Sequence, residues 1–224
     1  MRFFINKGLA KVALIMSVVG GVAACGGVDD LDEELDRSSN FTFVNALNYS
    51  VDFHLQRRNI STEFSGLFDS KHRVTADIKK NSAGETYTYR YRATNPMLNM
   101  GVRNSISLGD EEKLYKTLSD KNNYWLVAWD SAGDNKLALL ERVKNDQAGQ
   151  LNVRIFADAS YVISVNGSSA GSTKKGEATT FYSLDNCNTS LKLNDKAINL
   201  CSTDYGSSYL LIADSNGMRL IAKE

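Results

Sequence analysis

From Asn40 onward the chain alternates apolar and polar positions in short runs broken by turn residues, and no stretch sustains the 3.6-residue period of a long amphipathic helix. That pattern predicts an all-β class. The clearest strand is Thr86 to Arg92, which sets Tyr87, Tyr89 and Tyr91 on one face and Thr86, Thr88, Arg90 and Arg92 on the other. Phe41 to Val44, Val51 to Leu55, Val74 to Ile78, Val102 to Leu108, Val153 to Phe156 and Tyr161 to Val165 read as further strands. Only Asp110 to Leu118 is predicted helical, with Asp110 as its cap and Glu111 and Glu112 in its first turn.

The pattern also repeats. Tyr124-Trp125-Leu126-Val127-Ala128-Trp129-Asp130-Ser131-Ala132-Gly133 and Tyr209-Leu210-Leu211-Ile212-Ala213-Asp214-Ser215-Asn216-Gly217 each lead into a second apolar strand, Lys136 to Val143 and Met218 to Ala222. In both, a glycine in the connection supplies the positive φ of a tight hairpin. A fainter match sets Phe43-Val44-Asn45-Ala46 against Arg154-Ile155-Phe156-Ala157. Two tandem β-sandwich domains are therefore expected, at 40–146 and 150–224, with the polar stretch Asn145 to Gln150 between them. The alternative is one continuous sandwich or barrel.

Ahead of this region, Arg2, Lys7 and Lys11 precede an apolar run from Val12 to Ala24, the basic-then-hydrophobic order of an export signal. The run is short for a bilayer span, which needs about 20 apolar helical residues, and Gly20 and Gly21 weaken it further. Val22-Ala23-Ala24-Cys25 resembles the lipobox of bacterial lipoproteins. The resemblance implies a signal peptide over 1–24, cleavage before Cys25, a diacylglycerol thioether on its sulfur and N-acylation (palmitate or similar chains), enough acyl chains for a stable anchor. Residues 25–39 then form a tether: Gly26-Gly27 is followed by Asp29, Asp30, Asp32, Glu33, Glu34 and Asp36, a flexible and self-repelling leader. Gly26, rather than an aspartate, follows the cysteine, which by the same resemblance favours the outer membrane.

Charge and cysteines sharpen this picture. Removing Arg2, Lys7 and Lys11 with the signal leaves 23 basic residues against 26 acidic ones, a net charge of −3 that argues against a nucleic-acid partner. Two of the three cysteines remain once Cys25 is lipidated, Cys187 and Cys201, and in an oxidising compartment they are expected to form a disulfide bond. No further Cys or His stands close enough to suggest zinc instead.

The opening strand through Val44-Asn45-Ala46, a short turn and Val51-Asp52 resembles a domain family of unknown function that occurs in tandem in bacterial envelope proteins. Its members begin with a strand ending Asn-Ala-Ser-Pro-Asp, then a Val-Asp strand and later a Tyr-led hairpin. Here Leu47-Asn48-Tyr49-Ser50 replaces the proline-containing turn, and the single proline is Pro96. The resemblance implies immunoglobulin-like sandwiches and surface placement, with no chemistry attached.

Candidate chemistry is sparse. His54 and His72 are the side chains that titrate near neutrality, and neither lies in a catalytic motif. His54 falls on the opposite face from Phe53 and Leu55 and is expected to be exposed. Gly167 to Ser172 follows a strand and opens no helix, so it reads as a hairpin tip rather than an anion loop. Asp130, Asp134 and Asp214 miss the spacing of a calcium loop and suit turn chemistry. Trp125 and Trp129 share one strand face and are expected in the core. Tyr87, Tyr89 and Tyr91 form the candidate ligand face, either half-buried sandwich residues or a platform for sugar rings. The expectation is a non-enzymatic envelope lipoprotein without cofactor or metal, held to the membrane by its lipid and serving as a structural or protein-interaction module. The alternative is a glycan- or lipid-binding lipoprotein.

Overall fold

The computed structural model describes residues 36–224; the expected signal, Cys25 and most of the acidic tether lie outside the described residues. Eight strands form a first sandwich: β1 (Asp36–Asn45), β2 (Val51–Arg57), β3 (Arg73–Ile78), β4 (Ser82–Arg92), β5 (Met97–Asn104), β6 (Glu112–Thr117), β7 (Asn123–Ser131) and β8 (Asp134–Glu141). Eight more form a second: β9 (Leu151–Ala157), β10 (Val162–Val165), β11 (Ser168–Ser172), β12 (Tyr182–Leu184), β13 (Leu191–Leu193), β14 (Lys196–Ala197), β15 (Ser208–Asp214) and β16 (Gly217–Lys223). The helical content of the described residues is one 3-10 turn, Ser70–His72.

The sheets run in the orders β4-β1-β7-β8 and β3-β2-β5-β6, then β12-β9-β15-β16 and β11-β10-β13-β14. Adding eight to each strand number of the first pair generates the second, so one topology is used twice. In both copies the first strand pairs parallel with the seventh, β1 with β7 and β9 with β15. Each sandwich has its own core, one around Phe41, Phe43, Phe53, Met100 and Leu126, the other around Leu151, Ile155, Ile163, Leu191 and Leu211.

A third apolar cluster joins the copies. In β7, Tyr124, Leu126 and Ala128 enter the first core, while Trp125, Val127 and Trp129 point the other way and meet Phe156, Leu210 and Ile212. The seam-facing side of β15 alternates likewise with Tyr209, Leu211 and Ala213 in the second core. Strands that are apolar on both faces belong between layers. The four sheets therefore stack as outer, inner, inner and outer, and the inner pair meets in this apolar seam.

Several expectations are corrected. The helix at Asp110 to Leu118 is instead the edge strand β6, in register with β5 from Met97 opposite Thr117 to Val102 opposite Glu112. Leu114 turns toward the core while Lys113 and Tyr115 turn outward, a period of two, and Asp110 sits at φ 53°, which is not a cap conformation. The strand expected at Val102 to Leu108 lies earlier, ending at Asn104, with Leu108 in the following loop. β1 begins at Asp36, before the expected start at residue 40, and already buries Ser39. The repeat match at the first strand was one residue out: Asn45 pairs with Ala128 where Ala157 pairs with Ala213, so Asn45 corresponds to Ala157 and Ala46 to Asp158. A slip of one exchanges the two faces.

Candidate binding site

The four central inner strands, β1, β7, β9 and β15, all end on one side of the seam, and a cavity of about 270 Å³ opens there. Its walls take Ala46 from just past β1, Trp129 and Asp130 from β7, Phe156 from β9 with Asp158 just past its end, and Ile212 to Asp214 from β15 with Ser215 and Asn216 of the following turn, with Asn48 and Arg219 at the sides. The register gives the cavity an asymmetric logic. Ala46 and Asp158 are equivalent positions in the two copies, and so are Trp129 and Asp214. The first copy therefore contributes a small residue and an indole where the second contributes two carboxylates.

Hydrogen bonds fix these carboxylates in place. Arg219 donates from Nε to Asp214 Oδ2 at 2.6 Å, and its Nη1 reaches the Ala46 carbonyl and Asn81 Oδ1, tying β16 to the first copy. Tyr161 donates its hydroxyl to Asp158 Oδ1 at 2.6 Å. Gly133 and Asn216 donate backbone N–H groups to Asp130 Oδ1 and Asp214 Oδ1, the turn role expected of both acids. Burial opposes the ionisation of Asp214, but Arg219 and the Asn216 amide outweigh it and hold its carboxyl below the usual value. Burial, the hydrogen bond to Asp158 and the charges of Asp158 and Asp214 raise the Tyr161 phenol. Trp129 packs edge-on against Phe156 at 5.6 Å, and its Nε1 has no hydrogen-bond partner.

The tyrosine face is arranged differently from a platform. Tyr91 is 8% exposed and belongs to the first core, the half-buried Tyr89 stacks on it at 6.3 Å between ring centres, and Tyr87 is 39% exposed. Pairing with β1 sets these three opposite Phe41, Ser39 and Arg37, on the core side of the sheet, so the face closes as it approaches Tyr91. Trp125 and Trp129 are both buried, as expected, but in the seam rather than in a sandwich core.

His54 corrects the sequence reading most sharply, since it is fully buried. It does face away from Phe53 and Leu55, yet the segment 58–72 folds back over that face and places Leu67 and Phe68 on it, with the His54 and Phe68 rings 5.1 Å apart. Asp52 and Asn99 lie in the same polar layer: Asp52 accepts from the Asp77 amide and the Ser105 hydroxyl, and Asn99 donates to Gln56 Oε1 and the Glu63 carbonyl. Cys187 and Cys201 are bonded, with Cα atoms 4.8 Å apart. Residues 168–172 form β11, the return strand of a hairpin turning at Asn166-Gly167.

Among the described residues no group of three His, Cys, Asp or Glu side chains is placed to hold a metal ion. No protein-family model matches the chain, and no curated protein matches it. Among solved structures the chain is similar to the family 26 carbohydrate-binding module from Eubacterium rectale Amy13K in complex with maltoheptaose, at 12% identity and a TM-score of 0.26, over 84% of this chain and 96% of that one.

Proposed function

We propose that the chain is a lipid-anchored, non-enzymatic protein of the bacterial cell envelope, placed in the outer membrane, that holds a saccharide in the seam cavity. The observation that carries this reading is the cavity itself, with an indole on one wall and a mixture of carboxylates, amides, a hydroxyl and a guanidinium on the others. A sugar hydroxyl both donates and accepts, so it is matched by acceptors such as Asp158 beside donors such as Asn48 and Arg219, while a ring face packs on an aromatic wall. A non-catalytic role is supported by His54, sealed under the 58–72 segment where it cannot exchange a proton with a bound substrate.

The test has two arms. Membrane fractionation with intact-mass analysis should find the native protein acylated and in the outer-membrane fraction, and Cys25→Ser released. A glycan array probed with the Cys25→Ser chain should show retained sugars whose binding is lost in an Asp158→Ala version that keeps its circular dichroism spectrum. Retention of no glycan would defeat the binding reading; a soluble, unacylated native protein would defeat the anchor.

A second reading, a protein-interaction module, is favoured by the loop after β5, where Ile106 and Leu108 are 86% and 53% exposed. It predicts an envelope partner whose cross-linking is abolished by changing both residues to serine.

A further inference from the structure

We infer that the seam cavity selects a saccharide bearing a positively charged amino group over its neutral or acidic counterparts. The inference rests on the reading of the cavity as a saccharide site and goes on to name the charge of the ligand.

The cavity walls carry Asp130, Asp158 and Asp214 against the single cation Arg219. Arg219 is committed to Asp214, so one carboxylate is already neutralised in place. Asp158 and Asp130 have only neutral donors, the Tyr161 hydroxyl and the Gly133 amide, and each keeps an oxygen for a ligand. Two carboxylates without a cationic partner thus line the cavity, an arrangement that favours a cation by direct charge.

The surroundings reinforce this field. An open depression shares Asn48 and Asp130 with the cavity and adds Asp110, Glu111, Glu112 and Asp134, with Lys136 as its one basic wall residue. Glu111 is paired with Lys113 at 3.2 Å, but the remaining acids leave the approach negative. Tyr49 reports the same field, since burial together with the charges of Asp110 and Asp130 raises its phenol against the pull of its Asn135 hydrogen bond. Clefts lined by one sign of charge concentrate ligands of the other. An ammonium group would donate to Asp158 and Asp130 and release no buried charge, whereas a carboxylate there would meet repulsion from both.

Calorimetric titration of the Cys25→Ser chain with glucosamine, glucose and glucuronate, at low and at physiological ionic strength, tests this. Glucosamine should bind about tenfold more tightly than glucose at low salt, the equivalent of one modest charge contact, with the gap narrowing as salt rises and glucuronate binding weakest. Asp130→Asn alters an exposed side chain and should leave the fold intact; together with Asp158→Asn, which still accepts from Tyr161, it should erase the preference, so that the double variant binds glucosamine no more tightly than glucose. Equal affinity for glucosamine and glucose, or glucuronate binding as well as either, would overturn the charge selection and leave the saccharide reading standing. Binding of none of the three would overturn both.

Discussion

Arg154 and Glu224 form a buried ion pair inside the seam, Nε donating to Oε1 at 2.5 Å with the side chains 9% and 0% exposed. The pair is wired into the first copy: Trp125 Nε1 and the Val143 amide donate to Glu224 Oε2, and Arg154 Nη2 donates to the Glu141 carbonyl. Arg142 lies over the Trp125 ring at 4.2 Å and donates to Thr42 Oγ1 and the Lys223 carbonyl. Removing one member of such a pair strands the other in a low-dielectric layer. Glu224→Ala should therefore cost about 3 to 5 kcal/mol in urea unfolding, and the double change Arg154→Met with Glu224→Leu should recover most of it. A Glu224→Ala loss under about 1 kcal/mol, the scale of an exposed pair, would mean that water reaches Arg154.

The seam itself was half legible in the sequence. Trp125, Val127 and Trp129 alternate with Tyr124, Leu126 and Ala128, all large or apolar, and such a strand must be covered on both sides. Its topology was out of reach, because nothing local says that the second apolar face meets another copy of the same sheet. The pairing of Trp129 with Asp214 as equivalent positions follows from the hairpin match, but the equivalence of Ala46 with Asp158 was hidden by weak similarity at β1 and β9. His54 failed for another reason. Alternation identifies the face on which a side chain lies, and here a segment with no periodicity, carrying Leu67 and Phe68 more than ten residues later, covers that face. The region after Asp110 was misread because paired acids after an aspartate imitate a helix start, while pairing with β5 made it a strand.

The disulfide closes the segment between β12 and the residues after β14, where strands are only two or three residues long and supply little pairing of their own. By the loop-entropy estimate a closure of this length contributes about 3 kcal/mol. Reduction, or Cys187→Ser with Cys201→Ser, should lower stability by that amount, read as a shift in the urea midpoint. Hydrogen exchange should rise first in residues 185–203. An unchanged midpoint would show that Leu191, Leu193, Ile198 and Leu200, all buried, hold the segment without the bond.

Gly101 lies under the covering segment. A Cβ there would sit 2.9 Å from both Leu67 Cδ2 and Phe68 Cε1, and Leu67 has no exposed surface into which to move. Gly101→Ala should cost about 1 to 3 kcal/mol, as overpacking does, and should open residues 58–72 to limited proteolysis before the sandwich unfolds. Unaltered cleavage kinetics would mean that the Phe68 ring swings aside at no cost.

His54 gives the protein a defined acid sensitivity. Burial, reinforced by Arg103 and Arg73 and only partly opposed by Asp52, lowers its pKa from 6.5 to about 4. Neither ring nitrogen has a hydrogen-bond partner of good geometry, and the Asp69 backbone is the smallest of the influences on it. In the unfolded chain the imidazole takes up a proton near pH 6.5, whereas in the folded chain it resists protonation down to about 4. Stability contributed by the neutral ring is complete above the unfolded value and drains away as the pH falls between the two, by up to about 3 kcal/mol. Asp52 acts lower. Burial raises its carboxyl, but the Ser105 hydroxyl, the Asp77 amide and Arg73 together pull it below its usual value, so its contribution is lost only as the pH falls further. Urea midpoints measured across this range should therefore decline in two stages, and His54→Leu should flatten the upper stage while leaving the lower one. His72, whose imidazole is also lowered, chiefly by burial and Lys71, provides the control: a decline that vanishes in His72→Gln and persists in His54→Leu would assign the sensitivity to the surface of the covering segment rather than to the ring beneath it.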